Sequence, residues 1–90
     1  MKLIFRIHAL KRMFERDIPK ESINTALTKG VVIENYPDDL PYPSRLILGF
    51  DNIGALHLVV AEDKEDQAEI IITVYRPDSE KWSEDFKRRK

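Results

Sequence analysis

The sequence predicts an α+β domain: two N-terminal helices packed on a four-stranded antiparallel sheet, with a short C-terminal helix. Three observations carry that prediction. Up to Gly30, apolar residues recur at helical spacing. From Val31 to Arg76 the period changes to two, in four strand-length runs separated by turn residues. After Pro77 helical spacing returns, with Trp82 and Phe86 four positions apart. Helices grouped before strands are the α+β pattern, and 90 residues give room for one domain, 1–90.

Residues 2–6, KLIFR, read either as a short edge strand or as the lead-in to the first helix. That helix runs from about His8 to Arg16. Ile7, Ala9, Leu10, Met13 and Phe14 fall on one half of it, which suits packing on a core. His8, Arg12 and Arg16 form a row at i, i+4 and i+8 beside that half. Pro19 disfavours helical geometry at Ile18 and suits the start of a second helix, Lys20–Thr28. Ile23, Ala26 and Leu27 give this helix a narrow apolar stripe, and Gly30 stops it.

Val31–Tyr36 is the first strand. Pro37–Pro43, with three prolines in seven residues, is a stiff loop expected to be ordered and to pack Tyr36 or Tyr42. Ser44–Asp51 and Ala55–Glu62 are strands joined at Asp51-Asn-Ile-Gly54, whose residues suit a hairpin turn. Asp63–Gln67 is an acidic connection. Ala68–Arg76 is the most apolar strand and so a central one. Asp78 or Ser79 can cap the last helix, which docks through Trp82 and Phe86. Lys87–Lys90 is a basic tail.

Alternation assigns the sheet faces. Leu46, Leu48, Phe50, Leu56, Leu58, Val60, Ile70, Ile72 and Val74 are expected under the helices. Arg45, Ile47, His57, Val59, Ile71, Thr73 and Tyr75 then share the opposite face. That face mixes aliphatic residues with an arginine, a histidine and a tyrosine, so something is expected to cover part of it.

The net charge of −1 hides a segregation. Residues 1–20 carry six Lys/Arg and two acids, residues 21–75 three and ten, and residues 76–90 six and four. If the ends meet in the fold, they make a local positive patch. With no cysteine, disulfides, thiol catalysis and thiolate zinc sites are excluded, and a reducing cytoplasm fits. The acidic stretches match no calcium-loop spacing, so no metal and no cofactor is expected. No apolar run approaches a membrane span of about 20 residues. The row of one imidazole and two guanidiniums on the first helix suits a phosphate or a carboxylate. Its plainer alternative is a solvated face neutralised by Glu15.

HALKRMFERDIP, followed by VVIENYPDDLPYPSRLILGF and LHLVVA, resembles the DUF4258 family of small bacterial and archaeal proteins. The distinctive parts are H-A-x-x-R-M-x-x-R and E-x-Y-P-D-D-x-P-Y-P-S, within a likeness spanning about Phe5 to Trp82. The family looks like a relative of the RelE/ParE-like toxins, many of which cleave RNA without a metal. The resemblance therefore implies the toxin half of a type II toxin–antitoxin pair, an mRNA interferase-like endoribonuclease. It also implies a cognate antitoxin, of which a YgiT-type zinc-finger protein is one form, and RNA or ribosome as target. The slightly acidic net charge departs from many RNA-cleaving toxins.

Metal-free RNA cleavage needs a base for the ribose 2′-hydroxyl, an acid for the leaving oxygen and cations for the phosphorane. His57, Tyr75, Arg45, His8 and Arg12 are the candidate catalytic set, and Arg16, Arg76, Lys87, Arg88 and Arg89 the candidate RNA contacts. His57 is expected on the face away from the helices, within one side-chain length of Tyr75 or Arg45. The alternative is a non-catalytic protein-binding module acting through that face, and a third reading is an orphan domain fixed by its own dimer.

Overall fold

The computed structural model describes residues 2–90. Two helices pack on one five-stranded mixed sheet, with elements β1 (Lys2–Phe5), α1 (Ile7–Glu15), α2 (Lys20–Lys29), β2 (Val31–Tyr36), β3 (Ser44–Phe50), β4 (Ala55–Asp63) and β5 (Ala68–Tyr75). The strand order is β1-β5-β4-β3-β2. The expected four-stranded antiparallel sheet with a C-terminal helix is corrected on two counts. KLIF is a strand and pairs parallel to β5, from Lys2 opposite Ala68 to Phe5 opposite Ile71. A parallel pair needs a long connection between its strands, and here almost the whole domain supplies it.

Residues 77–90 form no helix. Asp78 turns the chain, its carbonyl accepting from the amides of Lys81 and Trp82, both at 3.0 Å. Trp82 then bridges antiparallel to Arg89, and the Lys90 amide donates to the Lys81 carbonyl at 2.9 Å. Between them the Ser83 hydroxyl and the Asp85 carboxylate bond to nearby backbone amides, and Phe86 sits at φ 61°. Such short polar side chains compete with helical hydrogen bonding, and a left-handed residue interrupts a helix outright. The basic tail is therefore folded back as one arm of a compact loop.

The three antiparallel ladders of the meander sit where the sequence puts them, but two of the face assignments are inverted. In β3, Ile47 and Gly49 face the helices, while Leu46 and Leu48 face away. Phe50 is half exposed. Gly49 is required there: a Cβ on it would stand 2.5 Å from the Ala26 Cβ of α2. In β5, a bulge opposite Val59/Val60 inserts one residue, so Val74 and Ile71 face the helices instead of Val74, Ile72 and Ile70. Leu56, Leu58 and Val60 of β4 lie under the helices as expected.

The helices contribute little width to this core. Only Ala9 and Met13 of α1 are buried, with Ile18 in the turn and Ile23 and Ala26 of α2. Ile7, Leu10 and Phe14 point outward, at 78%, 44% and 87% exposure. The helix is placed over β5 by small Ala9, which brings its inner line close and leaves the outer apolar positions without a partner.

Candidate functional site

The far face of the sheet, away from the helices, is covered by the chain itself. His57 of β4 stands there opposite Tyr75 of β5 and Leu48 of β3. The loop 77–90 lies on it, and the imidazole is fully buried. Its Nε2 is 2.8 Å from the Phe86 carbonyl oxygen and its Nδ1 is 3.1 Å from the Tyr75 hydroxyl. A carbonyl only accepts, so Nε2 carries the hydrogen; Nδ1 then accepts from the Tyr75 O–H. Trp82 meets the ring edge-on, with centroids 4.4 Å apart. Burial pushes the His57 pKa down, opposed by its bond to the Phe86 carbonyl, and the Arg89 charge adds to the lowering. Burial likewise raises the Tyr75 phenol. The pair is a neutral, fully hydrogen-bonded polar nest that fastens the loop to the sheet.

The rim of this nest consumes further charges. The Arg89 guanidinium lies 4.8 Å from the Trp82 ring centre and donates to Glu34 at 3.2 Å. The Tyr36 hydroxyl donates to the same Glu34 oxygen at 2.7 Å and, with Arg89, holds that carboxylate below its usual range. Arg45 is elsewhere, its Nη2 donating to both carboxylate oxygens of Glu69 at 3.0 Å. Arg76 grips Asp51 at 2.8 and 3.0 Å, and the Ser22 hydroxyl joins the same carboxylate at 2.8 Å. That network holds Asp51 far below the ordinary carboxylate range, chiefly through Arg76. Arg45 and Arg76 are thus committed to acids inside the fold.

The α1 residues are the opposite case. His8 and Arg16 are exposed, and Arg12 is half exposed with one loose contact to Glu15 at 3.6 Å. Among the described residues, Arg6, Lys11 and Arg16 have no ion-pair partner. Lys11, Arg12 and Arg16 of the helix lie on the helix side of the sheet, while the loop carrying Lys87, Arg88 and Arg89 lies on the far side. The two basic ends therefore do not merge into one patch.

The candidate set falls apart into three groups. His57 and Tyr75 stand together, buried; Arg45 is paired with Glu69; His8, Arg12 and Arg16 line α1 in solvent. At the head of α1 the structure adds a feature in which His8 is the one member of the candidate set. A groove of about 540 Å³ runs between Arg6–His8 and Asp39–Tyr42 of the proline loop, and Ala61 and Ile72 complete its lining. The proline loop is held over it by the Ser44 hydroxyl, which donates to Asp39 at 2.5 Å. The signal for it in the sequence is Arg6 and His8 flanking the helix start, together with the rigid Leu40-Pro-Tyr-Pro43 wall. Among the described residues no three His, Asp or Glu side chains converge as a metal site, and no helix is long and apolar enough to cross a membrane.

Residues 5–76 match the family model described as Domain of unknown function (DUF4258). No curated protein and no solved structure matches the chain.

Proposed function

The chain belongs to the DUF4258 family, and we propose that this member is the toxin of a type II toxin–antitoxin pair, a cytoplasmic protein that cuts RNA without a metal. The observation that carries the reading is the division of its cations. Arg45 and Arg76 are neutralised in close ion pairs within the fold, whereas α1 and its two flanking residues present Arg6, His8, Lys11, Arg12 and Arg16 to solvent. A solvent-facing row of guanidiniums beside an imidazole, tied to the fold only by the loose Arg12–Glu15 contact at 3.6 Å, suits a phosphodiester backbone. The likeness to RelE/ParE-type toxins drawn from the sequence supports the reaction class.

In this reading Arg12 and Arg16 hold the phosphate oxygens, and His8 takes the proton of the ribose 2′-hydroxyl. The 2′-oxygen attacks the adjacent phosphorus, the bond to the 5′-oxygen breaks, and that oxygen takes a proton from water. The products are a 2′,3′-cyclic phosphate and a 5′-hydroxyl end. His57 and Tyr75 serve the fold, because both ring nitrogens already hold partners beneath the loop.

The test is cleavage of a labelled single-stranded RNA by the full chain in excess chelator, comparing wild type with His8→Ala and Arg12→Ala. His8→Ala is expected to slow cleavage at least about 100-fold, the usual scale of one general acid–base group. Its melting temperature stays unchanged, since His8 is exposed. Intact RNA with the wild type, or wild-type cleavage by His8→Ala, overturns the proposal.

A second reading, a non-catalytic protein-binding module, draws support from the exposed Ile7, Leu10 and Phe14 of α1. Its surface is then α1, because the loop 77–90 occupies the sheet face first assigned to it. A cognate antitoxin, with the YgiT-type zinc finger as its candidate form, would bury the same stripe under the toxin reading. RNA cleavage separates the two.

A further inference from the structure

We infer that the groove between the head of α1 and the proline loop is a subsite for one nucleotide of single-stranded RNA, with the phosphate at Arg6 and His8 and the base against the proline-loop wall. This rests on the reading of the chain as a protein that acts on RNA.

Size comes first. About 540 Å³ is in the range of small-molecule sites and can take a single nucleotide unit. The chemistry of the lining is divided in the way such a unit is divided. One side offers a guanidinium and an imidazole, both with no partner among the described residues. The other offers Leu40, Pro41 and the Tyr42 ring, with Ala61 and Ile72 between the two sides. Leu40 is 91% exposed, an apolar side chain standing in water at the lip of a groove. Flat aromatic and apolar walls of this kind receive a nucleobase by stacking, whatever its identity.

The one acid in the lining does not spoil the site. Asp39 accepts the Ser44 hydroxyl and so is turned to its own loop. The Tyr42 phenol has its pKa raised, chiefly by its hydrogen bond to the Asp63 carboxylate, so the ring itself stays uncharged. A duplex cannot use the groove, since its bases are stacked inside; a base must be splayed out to enter. The pairing of a ring-sized apolar wall with a phosphate-sized cationic end also favours RNA over an acidic peptide, whose carboxylates would need cations on both sides. The groove lies at the N-terminal end of the His8–Arg12–Arg16 row. A nucleotide seated there fixes the register of the strand along α1.

The experiment is titration of the isotope-labelled full chain, followed by amide chemical shifts, with adenosine monophosphate, uridine monophosphate, adenosine, inorganic phosphate and a Glu/Phe-containing hexapeptide. The nucleotides are expected to shift the amides of both Arg6–His8 and Asp39–Tyr42. Inorganic phosphate and adenosine are each expected to bind at least about tenfold more weakly than adenosine monophosphate, because each has half of the site. Tyr42→Ala and Arg6→Ala, both at solvent-accessible positions, should weaken nucleotide binding by a similar factor with unchanged melting temperatures. Absence of groove shifts, equal affinity for phosphate alone, or tighter binding of the peptide overturns the inference. The cleavage assay run beside it separates this from the reading beneath it. Cleavage undiminished in both variants sinks the subsite and leaves the nuclease, whereas nucleotide binding without cleavage by any form sinks the nuclease and leaves the subsite.

Discussion

Replacing Trp82 by alanine removes the plate that closes the far face of the sheet. The side chain is 7% exposed and sits edge-on against His57 at 4.4 Å, with Arg89 on its other side at 4.8 Å. Truncating a buried aromatic to alanine costs about 3–5 kcal/mol, the transfer of the ring plus the void it leaves. The His57 ring also loses cover, so water reaches a hydrogen-bonded pair that was sealed. For a domain of this size each kcal/mol moves the midpoint by about 4–8 °C, so the smallest shift consistent with the packing is about 12 °C. Against a total stability of about 5–15 kcal/mol, that is a large fraction. The assay is thermal unfolding followed by far-ultraviolet circular dichroism, since the only tryptophan is the residue removed. Arg89→Ala is the control: it loses only an exposed ion pair and a surface cation–π contact, about 1 kcal/mol or less. A drop below about 4 °C for Trp82→Ala, or equal drops for the two variants, would refute the packed loop. Truncation after Arg76 should lower the midpoint at least as much as Trp82→Ala.

Gly49→Ala should destabilise by about 1–3 kcal/mol, read as a lower urea midpoint, because the new Cβ meets Ala26; Ala26→Gly in the same chain should recover part of the loss. The midpoint should fall as pH drops below about 6.5. His57 has a lowered pKa in the fold, so the unfolded chain takes up its proton first, and the stability present above the unfolded value is lost on acidification. A profile that is flat between pH 7.5 and 5, or one that His57→Gln leaves unchanged, contradicts this. Asp51→Asn should cost about 1.5–3 kcal/mol by stranding Arg76. It should also flatten the separate loss of stability expected below about pH 4, where the depressed Asp51 carboxyl makes the unfolded chain bind protons first.

Secondary structure was legible wherever the local pattern had contrast. Pro19, Gly30 and the Asp51–Gly54 turn mark element ends, and β4 reads correctly because His57 breaks the run between Leu56 and Leu58. In β3 the run Leu46-Ile47-Leu48 is apolar on both faces, so alternation carries no phase; only the approach of Ala26 to Gly49 sets it. The β5 inversion needs the bulge, a property of pairing with β4 that no single strand records. Trp82 and Phe86 have helical spacing, yet Ser83 and Asp85 between them supply the side-chain bonds that turn the chain instead. At the site, the closeness of His57 to Tyr75 follows from alternation and strand order alone. Its burial does not, because a loop distant in sequence provides it. Arg6 and Tyr42 were passed over since neither belongs to a periodic row; only the third dimension brings the proline loop to the head of α1.

The parallel union of β1 with β5 sets a timetable for folding. Lys2–Phe5 are the first residues of the chain described, yet their hydrogen-bonding partners, Ala68–Ile71, lie near its far end. Pairings so distant in sequence close late, after the β2–β5 meander has formed its short hairpins. On a ribosome, synthesis runs from Arg6 to Ile72 before the whole lining of the groove exists. Until then α1 has no β5 to rest on, and its cations float on an unanchored segment. A nascent or stalled chain therefore has the charge but not the geometry, and the assembled surface exists only once β5 has been made and has captured the first strand.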